Sequence, residues 1–126
     1  MPVRGIGIDV VKVERLVEAL ERFGERFEKR IFTDAELAYC RRHKDPLPHL
    51  AARFAAKEAA LKAFGTGLRG RLRFTQIEVS NDESGRPMLV FRGEAERLFR
   101  SMGVFRTHVS LTHERQYAVA VVIFEE

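Results

Sequence analysis

The chain has 126 residues, enough for one core whose folding buries about two-thirds of the surface of the unfolded chain. Apolar residues make up 45% and aromatics 10%, which excludes a disordered or fibrous sequence. With 22 basic against 18 acidic residues the net charge is +4, which favours an anionic partner (nucleic acid, a phosphorylated small molecule or an acidic protein) without choosing among them.

A single cysteine, Cys40, allows no disulfide within the chain and fits a reducing compartment. The stretch MPVRGIGIDVV has no signal-peptide pattern, and the longest apolar run, YAVAVVIF, is too short to cross a bilayer. A soluble, cytoplasmic protein is expected. No linker, repeat or low-complexity segment interrupts residues 1–126, so they are expected to form one domain.

At the start, PVRGIGID alternates Ile6 and Ile8 against Gly5, Gly7 and Asp9. This is a short strand with one nearly bare face, which a ligand or another chain could approach closely. Asp9 ends that strand, where it can cap the next helix or act as a hard oxygen ligand in a metal or phosphate site. Val13, Leu16, Val17, Leu20 and Phe23 follow at helical spacing, and Gly24 interrupts them. If the helix continues past Gly24, Arg15, Arg22 and Arg26 fall within about 20° of one line. They form either a solvated face with Glu14 and Glu18 or a basic ridge for an acidic protein. No aromatic residues interleave them as a nucleic-acid stacking platform would require.

TDAE, Thr33 to Glu36, is a capping box that opens a second helix, and HKDPLP ends it. Pro48 suits the first turn of a third helix, which carries RFAAKEAALKAFGTG. Its apolar face runs through Leu50, Phe54, Leu61 and Phe64. Glu58 lies about 40° around from Phe54, and Lys62 about 80°. Charges at the margin of a buried stripe are costly without a compensating partner. As a surface i, i+4 pair, Glu58 and Lys62 would contribute a few tenths of a kcal/mol, yet a surface pair has no reason to lie beside Phe54. Lys57 flanks Glu58 on the other side. A carboxylate between two ammonium groups suits a divalent cation bound together with a polyphosphate.

GTGLRG matches G-x-G-x-x-G, but the dinucleotide fingerprint needs a strand before it and a helix after it. Here a helix comes first, so Gly65 is read as a left-handed helix C-cap. The loop behind it, with Arg69, Arg71 and Arg73, could fold over an anion.

FTQIEVS and RPMLVF read as strands joined by NDESG, and GEAERLFRSMG as a short helix with Leu98 and Phe99 inward. RTHVSLTH and QYAVAVVIF read as a closing hairpin. His108, Ser110 and Thr112 share one face opposite Val109 and Leu111. His108 and His113 therefore point to opposite faces and are no natural metal pair. Few strands, mostly hairpin-connected, with grouped helices, predict an α+β fold: a small antiparallel β-sheet packed against a group of helices.

GIGID, RFAAKEAALKAFGTG and HVSLTH, in this order and spacing and with IFTDAE and IEV between them, resemble one family over nearly the whole chain. That family is holo-acyl-carrier-protein synthase, the small bacterial type of phosphopantetheinyl transferase. The resemblance implies Mg²⁺-dependent transfer of the 4′-phosphopantetheine arm of coenzyme A to a serine of apo acyl carrier protein. Adenosine 3′,5′-bisphosphate is released, and the step serves fatty acid biosynthesis.

By the same resemblance Asp9 and Glu58 would be the magnesium ligands. Glu58 would accept the serine proton, directly or through a metal-bound water, and Lys62 would stabilise or protonate the leaving phosphate. Arg53, Lys57, Gly65, Ser110 and His113 would line the coenzyme A pocket; His108 is a further candidate, less well placed than His113 to meet a nucleotide phosphate. Arg15, Arg22 and Arg26 would face the acidic carrier protein. A homotrimer with each active site between two subunits is implied, with neither nucleic acid nor membrane as partner. Two other readings use the same residues: a metal-dependent nuclease acting without coenzyme A, and a non-catalytic binder of an acidic protein in which Glu58 and Lys62 are purely structural.

Overall fold

The computed structural model describes residues 2–126. In chain order the elements are β1 (Val3–Lys12), α1 (Val13–Ile31), α2 (Asp34–Arg41), α3 (Leu47–Phe64), β2 (Ile77–Asn81), β3 (Pro87–Phe91), α4 (Gly93–Ser101), β4 (Arg106–His113) and β5 (Tyr117–Glu125). The strands form two antiparallel sheets, one in the order β1-β5-β4 and one pairing β2 with β3. This is the α+β arrangement expected, with both hairpins and the short fourth helix where the pattern put them.

Small side chains set how closely these elements approach. Ala51, Ala52, Ala55, Ala56, Ala59, Ala60 and Ala63 of α3 are all at most 4% exposed, so α3 is a central helix buried on nearly every face. Its alanines meet the glycines of β1. A Cβ added at Gly7 would lie 1.8 Å from the carbonyl oxygen of Ala59, and one at Gly5 would lie 2.2 Å from that of Ala63. The bare face of β1 is therefore filled by the chain's own helix, which corrects the expectation that a ligand or another chain approaches it. The opposite face is the open one, with Ile6, Ile8 and Val10 exposed by 64%, 61% and 61%. In register beside them on β5 lie Ile123, Val121 and Val119, and beyond these on β4 lie His108, Ser110 and Thr112.

Two expectations about the first half need correction. Asp9 does not end its strand: β1 runs on to Lys12, Asp9 pairs with Ala120 inside the ladder, and α1 starts after Lys12. Asp9 caps no helix; its carboxylate meets Lys62 of α3 instead. In α1, Gly24 adopts φ 63° and ψ −146°, a conformation open to glycine and outside the helical region. The helical register restarts there, so Arg26 is not carried onto the line of Arg15 and Arg22.

Local signals elsewhere operate as read. The Thr33 hydroxyl accepts from the Glu36 amide while the Glu36 carboxylate accepts from the Thr33 amide, completing the capping box. Gly65 ends α3 in the left-handed conformation at φ 78°. Behind α3, Phe64, Phe91, Phe99 and Phe124 pack with ring centroids 4.8 to 5.7 Å apart, a cluster of tilted and edge-to-face contacts that needs no polar partner.

Candidate active site

The glycine–alanine contact brings the middle of β1 against the C-terminal half of α3, and with it Asp9 against Lys62. The Lys62 ammonium donates to Asp9 Oδ1 at 3.0 Å and to the carbonyl of Ile8 at 2.9 Å. Lys62 thus reaches across to the strand instead of closing a helical i, i+4 pair with Glu58. Glu58 is half-buried. Burial raises its pKa, the negative charge of Asp9 raises it further, and Lys62 opposes both. Two carboxylates and one ammonium therefore act on one another where β1 crosses α3.

Beside them opens a cleft of about 460 Å³, lined by Glu58, Lys62, Gly65, Gly67, Leu68 and Phe74. Gly65, Gly67 and Gly70 all hold positive φ, so the GTGLRG segment turns repeatedly as it leaves the helix. Hard carboxylate oxygens whose mutual repulsion one lysine only partly offsets suit a magnesium ion. Mg²⁺ commonly takes one or two protein carboxylates and completes its shell with water and phosphate oxygens. Asp9 and Glu58 supply two such carboxylates.

Lys57 is elsewhere. It is 0% exposed, and its ammonium donates to the carbonyls of Ile77 at 2.6 Å and Phe74 at 3.0 Å and pairs with Glu36 at 2.8 Å. Glu36 also accepts from the amides of Thr33 and Val79. Lys57 therefore ties α3 to α2 and β2. With every donor engaged and no accessible surface, it neither flanks Glu58 nor lines a ligand pocket, contrary to expectation.

Arg53 is also buried, behind two residues, Tyr39 and Asn81, that line a second cleft of about 580 Å³ between α2 and the β2–β3 turn. Its guanidinium donates to Asn81 Oδ1 at 2.9 Å and to the carbonyl of His49 at 3.3 Å, and lies 4.5 Å from the centre of the Tyr39 ring. Tyr39, Arg42 and Asn81 line this cleft. None of the three stood out in the sequence, since Tyr39 and Arg42 at the end of α2 meet Asn81 of β2 only in the fold. His113, at the end of β4, lies against His49. Ser110 and His108 lie on the exposed outer face of the sheet, where His108 Nε2 is 3.3 Å from Glu125. Arg15 and Arg22 are exposed on α1, with the Arg22 guanidinium 5.3 Å from the ring of exposed Phe23.

Residues 5–122 match the model of the 4′-phosphopantetheinyl transferase superfamily. The chain belongs to that superfamily. It is 51% identical over 125 residues to the holo-[acyl-carrier-protein] synthase of Pectobacterium atrosepticum, covering 99% of each chain. It is 48% identical over 122 residues to that of Koribacter versatilis, covering 97% and 98%. Among solved structures, the synthase of Neisseria meningitidis superposes with a TM-score of 0.91 at 34% identity, covering 99% of this chain and 100% of that one. The Bacillus anthracis synthase, solved with CoA (3′,5′-ADP), gives 0.78 at 36% identity, covering 98% and 97%. No helix among the described residues is long and apolar enough to cross a membrane.

Proposed function

We propose that this protein transfers the 4′-phosphopantetheine arm of coenzyme A to a serine of apo acyl carrier protein, releasing adenosine 3′,5′-bisphosphate. It would act in the cytoplasm as a holo-[acyl-carrier-protein] synthase, with residues 1–126 as one catalytic domain. The observation that carries this reading is the meeting of Asp9, Glu58 and Lys62 at the crossing of β1 and α3. In the reaction the serine oxygen bonds to the phosphorus bearing the pantetheine arm, and the bond from that phosphorus to the bridging oxygen breaks. Such transfers need mainly positioning and the neutralisation of spreading negative charge.

Asp9 and Glu58 would hold the magnesium ion, which when bound neutralises the pyrophosphate. Glu58 takes the serine proton. The Lys62 ammonium stabilises the departing phosphate, and Gly65 borders the cleft that would take the arm. Arg53 and His113 serve the nucleotide end, beside the cleft of Tyr39, Arg42 and Asn81. Arg15 and Arg22 offer charge to the acidic carrier protein, with Arg26 contributing from beyond the break at Gly24.

Arg53 and Glu58 are about 140° apart around α3, and the faces between them are packed inside the chain. One subunit thus presents the two ends of the site to different sides, which supports a site assembled between subunits. The open apolar face of Ile6, Ile8 and Val10 supports assembly as well, and the family resemblance implies three subunits. Ser110 and His108, on that same face, reach coenzyme A only across such an interface.

Chromatography of the small-molecule products tests this. Adenosine 3′,5′-bisphosphate must appear only when coenzyme A, apo carrier and Mg²⁺ are all present, must vanish on chelation, and must return with Mg²⁺. Phosphodiester cleavage of nucleic acid without coenzyme A would overturn it in favour of a nuclease.

A further inference from the structure

Three of the four histidines gather at one point that the roles above leave partly unexplained. His43, in the connection between α2 and α3, stacks on His49 of the first turn of α3, with centroids 3.6 Å apart and planes 10° apart. His49 meets His113 of β4 in an edge contact at 4.7 Å. Tyr39 packs against His43 at 5.3 Å. Arg53 and Arg42 lie 4.5 and 5.8 Å from the Tyr39 ring. Among the described residues, the two buried side-chain polar atoms without a partner, His43 Nε2 and Arg53 Nε, both belong to this cluster.

The charges facing His49 come from every element around it: His43 from the connection, His113 from β4, Arg53 from α3, and Asp45 as the opposing acid. Burial, followed by the histidines and Arg53, holds the His49 pKa down at about 4. His49, stacked 3.6 Å from the centre of the His43 ring, is therefore neutral at pH 7. His49 therefore works as an uncharged aromatic spacer. The exposed member of the cluster is His113.

We propose that His49, backed by His43, is a positioning residue: its neutral ring sets the orientation of the His113 imidazole and thereby the affinity of the site for the phosphate-bearing nucleotide of coenzyme A. This rests on the placing of His113 at coenzyme A given above. An aromatic wedge between a half-buried ring and an exposed one restricts the exposed ring to one arrangement before ligand arrives, which lowers the cost of binding.

The test pairs histidine-ring NMR of the full chain without coenzyme A with steady-state kinetics of His49→Ala and His49→Phe. His49→Ala should move the His113 ring resonances and raise the KM for coenzyme A about three- to tenfold, the size of an aromatic-pair contact. It should leave kcat within about twofold, the pattern for a lost binding contact. His49→Phe, which restores a ring without a titrating group, should recover most of both effects. Unmoved His113 resonances in His49→Ala overturn the proposal at the positioning link. Moved resonances with an unchanged KM overturn it at the other link, the part of His113 in binding coenzyme A. If His49→Ala fails to fold, the wild-type chain decides. The His113 resonances must then show an added inflection at the same midpoint as the His49 ring's own resonances, and its absence overturns the proposal.

Discussion

Glu58 is held in a form that favours chemistry at the expense of the fold. Burial and the charge of Asp9 raise its pKa above the ordinary 4.5, with Lys62 opposing. A carboxyl raised on folding contributes its full stability below the unfolded pKa and loses it as pH rises through the folded value. At pH 7 the ionised Glu58 is therefore a burden on the metal-free protein. Glu58→Gln is expected to raise Tm by a few degrees at pH 7 in the absence of metal, to raise it less near pH 4, and to lower transfer at least about 100-fold. A Tm that falls at pH 7 would show that the carboxylate is not strained. Lys57 is a different case, since its partner Glu36 is as deeply buried as itself. Lys57→Ala leaves that carboxylate without its cation and should cost about 3–5 kcal/mol, read as a lower urea midpoint with unchanged slope. Glu58 and Lys62 stood out in the sequence because a charge beside an apolar stripe is visible within a few residues, and Asp9 because it shares a strand face with two glycines. The burial of Lys57 was not legible, because α3 is apolar on most faces and only the arrival of Glu36 from α2 decides which way the ammonium turns.

Between elements, the closest dependence is that of β1 on α3. A methyl group on Gly7 would fall 1.8 Å from the Ala59 carbonyl, and neither backbone can yield without moving Asp9 off Lys62. Gly7→Ala should destabilise by about 3 kcal/mol or more and reduce transfer even in the fraction that remains folded. An unchanged melting curve would contradict the packing described. The elements themselves were largely legible: the capping box, the Gly65 cap, both hairpins and the α+β class all rest on local pattern. The end of β1 was not, since Val10, Val11 and Val13 suit strand and helix alike, and only pairing with β5 carries the strand to Lys12. The break at Gly24 was visible, but its direction was not, because a positive φ can send the chain several ways. It separates the basic residues of α1. Arg22→Glu should raise the KM for the carrier protein several-fold and leave that for coenzyme A unchanged, with a smaller effect for Arg26→Glu. Equal effects from both would show that the two arginines share one docking line despite the break.

At the scale of the whole molecule, the outer face of the three-stranded sheet would join fold to function under the proposed shared site. Ile6, Ile8 and Val10 stay exposed because the glycine face of the same strand takes up α3. Which face would be left open was not legible in the alternation, since a bare face accommodates a helix as readily as a neighbouring chain. Ile8→Glu should leave the subunit folded, shift sedimentation to the monomer and abolish transfer, because Arg53 and Glu58 would no longer meet across an interface. An active monomer would refute the shared site. The net charge of +4 suits both anionic substrates. The central claim is that Asp9, Glu58 and Lys62 carry phosphopantetheinyl transfer, and intact-mass spectrometry of apo acyl carrier protein tests it most directly. After incubation with the protein, coenzyme A and Mg²⁺, the carrier should gain the mass of one phosphopantetheinyl group, with no gain when Glu58→Gln replaces the wild type. No gain with well-folded wild-type protein across several carriers, or an equal gain with Glu58→Gln, would contradict it.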